Sequence, residues 1–169
     1  MGEPLAAATA VGIVGAGTMG AGIAQVALQA GHAVRLLDRA PEVVGKACAD
    51  IDARLKRLVE KGRLDAEAAK DALERLQPAT RTAELADCGL VVEAVIEDLD
   101  IKRSLFADLE NHVADDAILA TNTSSISITA IAGVLRHPER SRRHAFLQSG
   151  TGHASGRSGL GTDDGGRSR

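Results

Sequence analysis

One stretch limits what this chain can fold into more than any other. It is a glycine-rich turn held between an apolar run and a small-residue helical pattern, from Val11 to Asp38. Val11, Ile13 and Val14 form the short β-branched run that a buried parallel strand needs. Gly15, Gly17 and Gly20 follow at G-x-G-x-x-G spacing, with Thr18 and Met19 inside the motif. The first glycine permits a tight turn, the second lets a pyrophosphate approach the backbone, and the third lets the next helix pack close to the sheet. The N–H groups and dipole at that helix start favour the anionic pyrophosphate. The helical pattern runs through Ile23, Val26, Ala27 and Ala30 to Gly31, which suits a left-handed cap. A second apolar run then ends in Asp38, whose carboxylate can accept hydrogen bonds from a ribose 2′-OH. The glycines alone would be compatible with an ordinary turn. Strand, helix and acid in this order point to a bound dinucleotide. Asp38 favours NAD over NADP because a carboxylate repels a 2′-phosphate, an inference that Arg39 next door weakens slightly.

The composition suits such a fold. Two Phe and no Trp or Tyr leave Ala, Val, Leu and Ile to build the core, side chains that let helices lie close on a parallel sheet. A length of 169 residues suggests one domain. The net charge of −3 gives no basic footprint for nucleic acid. No apolar run approaches the roughly 18 residues of a membrane span, and Met1 to Ala10 lacks a signal-peptide pattern. A cytoplasmic chain with no membrane partner is expected. Cys48 and Cys88 have no metal-ligand spacing, so free thiols in a reducing compartment and no metal site are expected.

After Asp38, Pro41 suits a first helical position, and Val43, Val44, Ala47, Ile51, Leu55, Leu58 and Val59 continue at helical spacing to Gly62. A second helix is expected over Leu64 to Leu76, with Asp65 near its start and Pro78 ending it. Lys56, Arg57, Lys61 and Arg63 leave one end of this helical pair basic. That end is either a solvated face or a contact for a phosphorylated substrate handle. Thr80 to Thr82 is expected as a short strand, Gly89 to Val95 as a strong one, and Ala117 to Ala120 as the next. Leu99 to Leu109 lies on a helix between them, and Ile126 to Leu135 reads as a short helix. The expected fold is α/β: a Rossmann-type, doubly wound parallel sheet with a helical-pair insertion. Glu97 and Asn122 fall just past strand ends, where ligands of such sheets sit. The run Thr121 to Ser125 is either an N-cap cluster or a set of groups orienting a substrate oxygen.

From Val11 to about Arg140 the chain resembles the N-terminal NAD-binding domain of the 3-hydroxyacyl-CoA dehydrogenases, including the 3-hydroxybutyryl-CoA type. The likeness rests on Gly12 to Gly20, on Val92-Glu93-Ala94-Val95-Ile96-Glu97 with Lys102, on Asn122-Thr123-Ser124-Ser125 and on His137-Pro138-Glu139-Arg140. It implies oxidation of a (3S)-3-hydroxyacyl-CoA to the 3-oxoacyl-CoA by hydride transfer to NAD, as in fatty-acid β-oxidation. Glu97, Lys102 and Asn122 would then line the cofactor site. Ser124 would hydrogen-bond the substrate oxygen, and Lys61 would lie near the CoA moiety. In that family a histidine, held by a glutamate downstream of it, is the catalytic base, and a helical second domain completes the substrate site and the homodimer.

The match stops after about Arg140. Aligned from Ser124, the family's histidine falls on Ala145, with His144 one place early, and no glutamate follows Glu139. Residues 141–169 hold seven Gly, five Ser and five Arg and are nearly devoid of apolar residues, too few to offset the entropy of ordering them. The expectation is an NAD-binding domain over residues 1–140, a disordered tail over 141–169 and no helical second domain. The tail is either a natural linker or the family's gene in the wrong frame. Shifted by one nucleotide, codons for Ala145 to Asp164 can encode His-Phe-Phe-Asn-Pro-Val-Pro and, further on, the missing glutamate, which favours the frameshift. Two functions therefore stand side by side: a 3-hydroxyacyl-CoA dehydrogenase, or a non-catalytic dinucleotide-binding module. Loss of the second domain should leave an apolar patch around Ile126, Ile128, Ile131 and Val134, with weak self-association in place of the family's homodimer.

Overall fold

The computed structural model describes residues 9–143. Expectations for residues 144–169, including those on His144 and Ala145, lie outside the described residues. Among the described residues, six parallel strands form one sheet: β1 (Ala10–Val14), β2 (Val34–Leu37), β3 (Leu76–Ala79), β4 (Cys88–Glu93), β5 (Ile118–Thr121) and β6 (Ser141–Arg143), in the order β3-β2-β1-β4-β5-β6. The helices are α1 (Thr18–Gln29), α2 (Pro41–Glu60), α3 (Ala66–Glu74), α4 (Leu99–His112) and α5 (Ile128–Ala132). The doubly wound sheet with its helical pair is the architecture expected from the sequence.

Strand residues alternate between the two faces, so each apolar run feeds two cores. Ile13, Leu36, Val92 and Ala120 pack with α1, α2 and α3. Val14, Leu37, Val91 and Leu119 pack with Phe106 and Leu109 of α4 and with Ile131 of α5. Gly31 does cap the first helix in a left-handed conformation, at φ +93°, and its N–H bonds the Leu28 carbonyl. Asp65 is the N-cap of α3, its carboxylate accepting the N–H groups of Glu67 and Ala68 at 2.9 and 3.3 Å.

Several boundaries differ from expectation. The third strand is Leu76–Ala79, and Thr82–Leu85 forms a 3₁₀ turn where Thr80 to Thr82 was expected as a strand. Pro78 sits inside that strand because β3 is an edge, where a missing N–H is tolerated. The last helix is Ile128–Ala132, shorter than Ile126 to Leu135. Ser127 holds its N-cap position, with no side-chain cap bond. The apolar patch is not continuous among the described residues. Ile131 is buried and Ile126 and Ile128 are half-buried, whereas Val134 is 42% exposed. A latch explains the inward turn: Glu110 of α4 accepts the N–H groups of Arg136 and His137, each at 2.9 Å. Arg103 Nε also donates to the Ala130 carbonyl at 2.7 Å. Ser141–Arg143 pairs with β5, so strand structure runs three residues past the expected boundary at Arg140. Backbone pairing makes no demand for apolar side chains, which is why composition missed it.

Candidate functional site

The sheet changes direction between β1 and β4, since the chain winds outward from β1 through β2 to β3 and then returns to β4, β5 and β6. A crevice opens at such a reversal, beyond the carboxyl ends of the strands. Backbone bonds hold its rim: Gly15 N–H to the Leu37 carbonyl (2.8 Å), Ala94 N–H to Val14 (2.7 Å) and Asn122 N–H to Glu93 (2.9 Å).

The three glycines of the loop are required by different neighbours. Gly15 turns at φ +102°, and a Cβ there would come within 2.5 Å of the Ala94 carbonyl oxygen. A Cβ on Gly20 would collide with the Gly15 carbonyl, so the loop and α1 touch backbone to backbone. Gly17 is different. A Cβ on it would meet no protein atom within 4 Å, and its φ of −67° suits any residue. Nothing among the described residues requires a glycine there, so the space it keeps clear suits a ligand's approach. Gly17 is also the N-cap of α1, where no side chain caps the helix and no acidic residue occupies the first turn. Thr18 is exposed and Met19 half-buried in that turn. Such an end accepts an anion.

Asp38 follows β2 and reaches back to the loop. Its carboxylate accepts the Ala16 N–H at 2.8 Å and the Ala40 N–H at 3.1 Å. It therefore sits beside the glycine turn, as the motif requires of the ribose-binding acid. These groups fit the adenosine and pyrophosphate parts of NAD.

Across the reversal lie the ends of β4 and β5. Glu97 bridges their two loops, accepting the Thr123 hydroxyl at 2.7 Å and the Ser124 N–H at 3.3 Å. Asn122 is half-buried and Ser124 exposed, and neither side chain bonds another described residue. Lys102 is 1% exposed, and its ammonium lies 2.6 Å from Glu93 Oε1 beneath the crevice floor. Lys61 stands apart. It caps α2, a 20-residue helix whose first turn is near Asp38, so it lies about 30 Å along that axis from the crevice. Lys56, near it, pairs with Asp52 at 2.8 Å.

Glu93, Thr121 and Thr123 were not singled out from the sequence as bonded groups, yet all three are buried and tie the strand ends together. The only signal was a carboxylate inside the apolar run Val91-Val92-Glu93-Ala94-Val95. Neither thiol is placed for chemistry here: burial pushes Cys88 up to about 11 and raises Cys48 as well. Among the described residues no cluster could hold a metal ion, and no helix is long and apolar enough to cross a membrane.

Comparison with known proteins gives a consistent picture. Residues 10–147 match the family described as 3-hydroxyacyl-CoA dehydrogenase, NAD binding domain. The chain is 48% identical over 130 residues to a 3-hydroxyadipyl-CoA dehydrogenase of Escherichia coli K12, covering 77% of this chain and 27% of that protein. It is 38% identical to a 3-hydroxybutyryl-CoA dehydrogenase of Clostridioides difficile, covering 76% and 46%. Among solved structures, a 3-hydroxybutyryl-CoA dehydrogenase from E. coli K12 superposes with a TM-score of 0.79 at 46% identity, over 80% of this chain and 29% of that one. FadB2 of M. tuberculosis gives 0.80 at 38% identity, over 85% and 50%. The chain thus spans between about a quarter and a half of the length of these relatives.

Proposed function

The chain belongs to the family of 3-hydroxyacyl-CoA dehydrogenase NAD-binding domains, and from that premise we propose that it binds NAD across the crevice between β1 and β4 while turning over little or no 3-hydroxyacyl-CoA as it stands. The carrying observation is Gly17, a glycine that the protein's own packing does not require, at the uncapped start of α1. The backbone of Gly15 to Gly20 holds the pyrophosphate, with Thr18 and Met19 in the helix turn that faces it. Asp38 holds the ribose hydroxyls. Glu97, Lys102 and Asn122 serve the nicotinamide half.

NAD supplies the hydride acceptor for oxidising the 3-hydroxyl of an acyl-CoA. The chain's contribution is placement. Glu97 anchors the backbone of Ser124, so the Ser124 hydroxyl can donate to the substrate oxygen while its own main chain stays fixed. Lys61 would meet the CoA moiety at the far end of the helical pair. Proton removal is the missing piece. Ala145 stands where the family's histidine aligns, and an alanine methyl cannot accept a proton. A non-catalytic dinucleotide-binding module is therefore the second reading, and it shares every cofactor contact with the first. The protein works in the cytoplasm on this view.

Calorimetric titration with NADH should show binding at one site, and 3-hydroxybutyryl-CoA with NAD should give no NADH above background. Absence of NADH binding would reject the proposal. Turnover at a substantial fraction of a full-length relative's rate would reject its second half and restore the chain as a working dehydrogenase.

A further inference from the structure

Glu93 ends β4 with no exposed surface, and its carboxylate accepts three hydrogen bonds. Oε1 takes the Lys102 ammonium at 2.6 Å and the Val95 N–H at 2.7 Å, and Oε2 takes the Thr121 hydroxyl at 2.6 Å. Its backbone carbonyl accepts the Asn122 N–H at 2.9 Å. The Thr121 hydroxyl in turn accepts the Thr123 N–H at 3.2 Å. The Glu93 side chain thus holds Val95 in the loop after β4, Thr121 at the end of β5 and the ammonium of α4, while its carbonyl holds Asn122 at the start of the loop after β5. Burying an ion pair costs desolvation that an apolar pair of similar volume would avoid. Packing alone therefore gives no reason for charge here, whereas geometry does. Glu97 and Ser124 are suspended from the two loops that Glu93 joins. The glycine turn and Asp38 lie on the other side of the reversal and make no hydrogen bond to the Glu93 carboxylate.

We propose that Glu93 is a positioning residue for the nicotinamide half of the dinucleotide site, acting through Lys102, Thr121 and the Val95 backbone without touching the ligand. This rests on the NAD reading above. It predicts a split between the two halves of the cofactor, which a merely structural residue would not produce. NADH and ADP-ribose, which lacks the nicotinamide, are titrated by calorimetry into the full chain and into Glu93→Gln. The variant should bind NADH about tenfold or more weakly while its ADP-ribose affinity stays within about twofold of the parent. Thr121→Val serves if Glu93→Gln does not fold, because it removes the Oε2 partner without leaving a buried charge unpaired. It should show the same split at about threefold. A parent chain that binds neither ligand overturns the NAD reading and this inference together. A parent that binds both, with a folded variant that loses neither or loses both equally, overturns this inference alone.

Discussion

Gly15, Gly17 and Gly20 share one motif but answer to different neighbours, and substitution should separate them. Gly20→Ala forces a methyl into the Gly15 carbonyl, and should cost about 1–3 kcal/mol or more of stability as helix and loop part. Gly17→Ala meets no protein atom, so it should cost about 1 kcal/mol or less while weakening NADH binding strongly. Urea denaturation and NADH titration of the two variants check this, and equal effects on both quantities would contradict it. Asp38→Ala should lose about 1.5–3 kcal/mol of NADH affinity, whereas Cys48→Ser should stay within about 0.5 kcal/mol of the parent in stability and binding. The turn at Gly15, the packing at Gly20 and the place of Asp38 beside the loop were legible in the sequence because their requirements are local: a tight turn, a close helix, an acid ending the next strand. Glu93 was not legible in its role. Its partners Lys102 and Thr121 lie 9 and 28 positions away, and only the folded sheet brings them together.

At the level of elements, caps read well and edges read poorly. Asp65 was placed from its position before a helical pattern, and it caps α3 with two bonds. Asp65→Ala should cost about 0.5–2 kcal/mol, and an unchanged denaturation midpoint would show that the cap contributes nothing. Pro78 reads as a helix stop in the sequence because proline removes a donor, but the same property is harmless on an edge strand. The latch between α4 and the segment after α5 was invisible, since it pairs a carboxylate with main-chain N–H groups that any sequence would offer. That latch has a pH signature. Burial alone would raise the Glu110 carboxyl, but the Arg136 and His137 N–H groups and the Arg136 guanidinium hold it below its ordinary value of 4.5. A carboxylate depressed in the folded state stabilises fully above its unfolded value, and that stability is lost as pH falls through the folded one. Glu110→Gln should therefore be less stable than the parent at pH 7, and the gap should narrow as the medium is acidified below 4.5. Urea titrations across that range check the sign; a gap independent of pH would exclude Glu110 as its source.

Over the whole molecule, the doubly wound architecture was predictable because right-handed crossovers and a single glycine motif leave few arrangements for alternating strands and helices. What periodicity could not supply is the far edge of the sheet, where Ser141–Arg143 joins by main-chain pairing alone. A cofactor lying across the reversal touches both halves of the sheet, so binding should stabilise the molecule as one unit. NAD at about 100 times its dissociation constant should add about 2.7 kcal/mol, a rise in Tm of roughly 5–10 °C for a chain of this length. A thermal scan in which saturating NAD leaves the midpoint unchanged would argue against a site in the native crevice. The opposite border of the sheet carries a consequence for crowded solutions. Val34 N–H bonds the Arg75 carbonyl, and alternate residues of a parallel strand address opposite sides. Gln77 therefore turns its backbone groups toward β2, while Leu76 and Pro78 turn theirs away from it. Proline has no N–H to offer, so this rim is a poor template for a strand from another molecule. Pro78 in this way makes the β3 border a poorer template for fibrillar growth, and Pro78→Ala would restore the donor that it lacks.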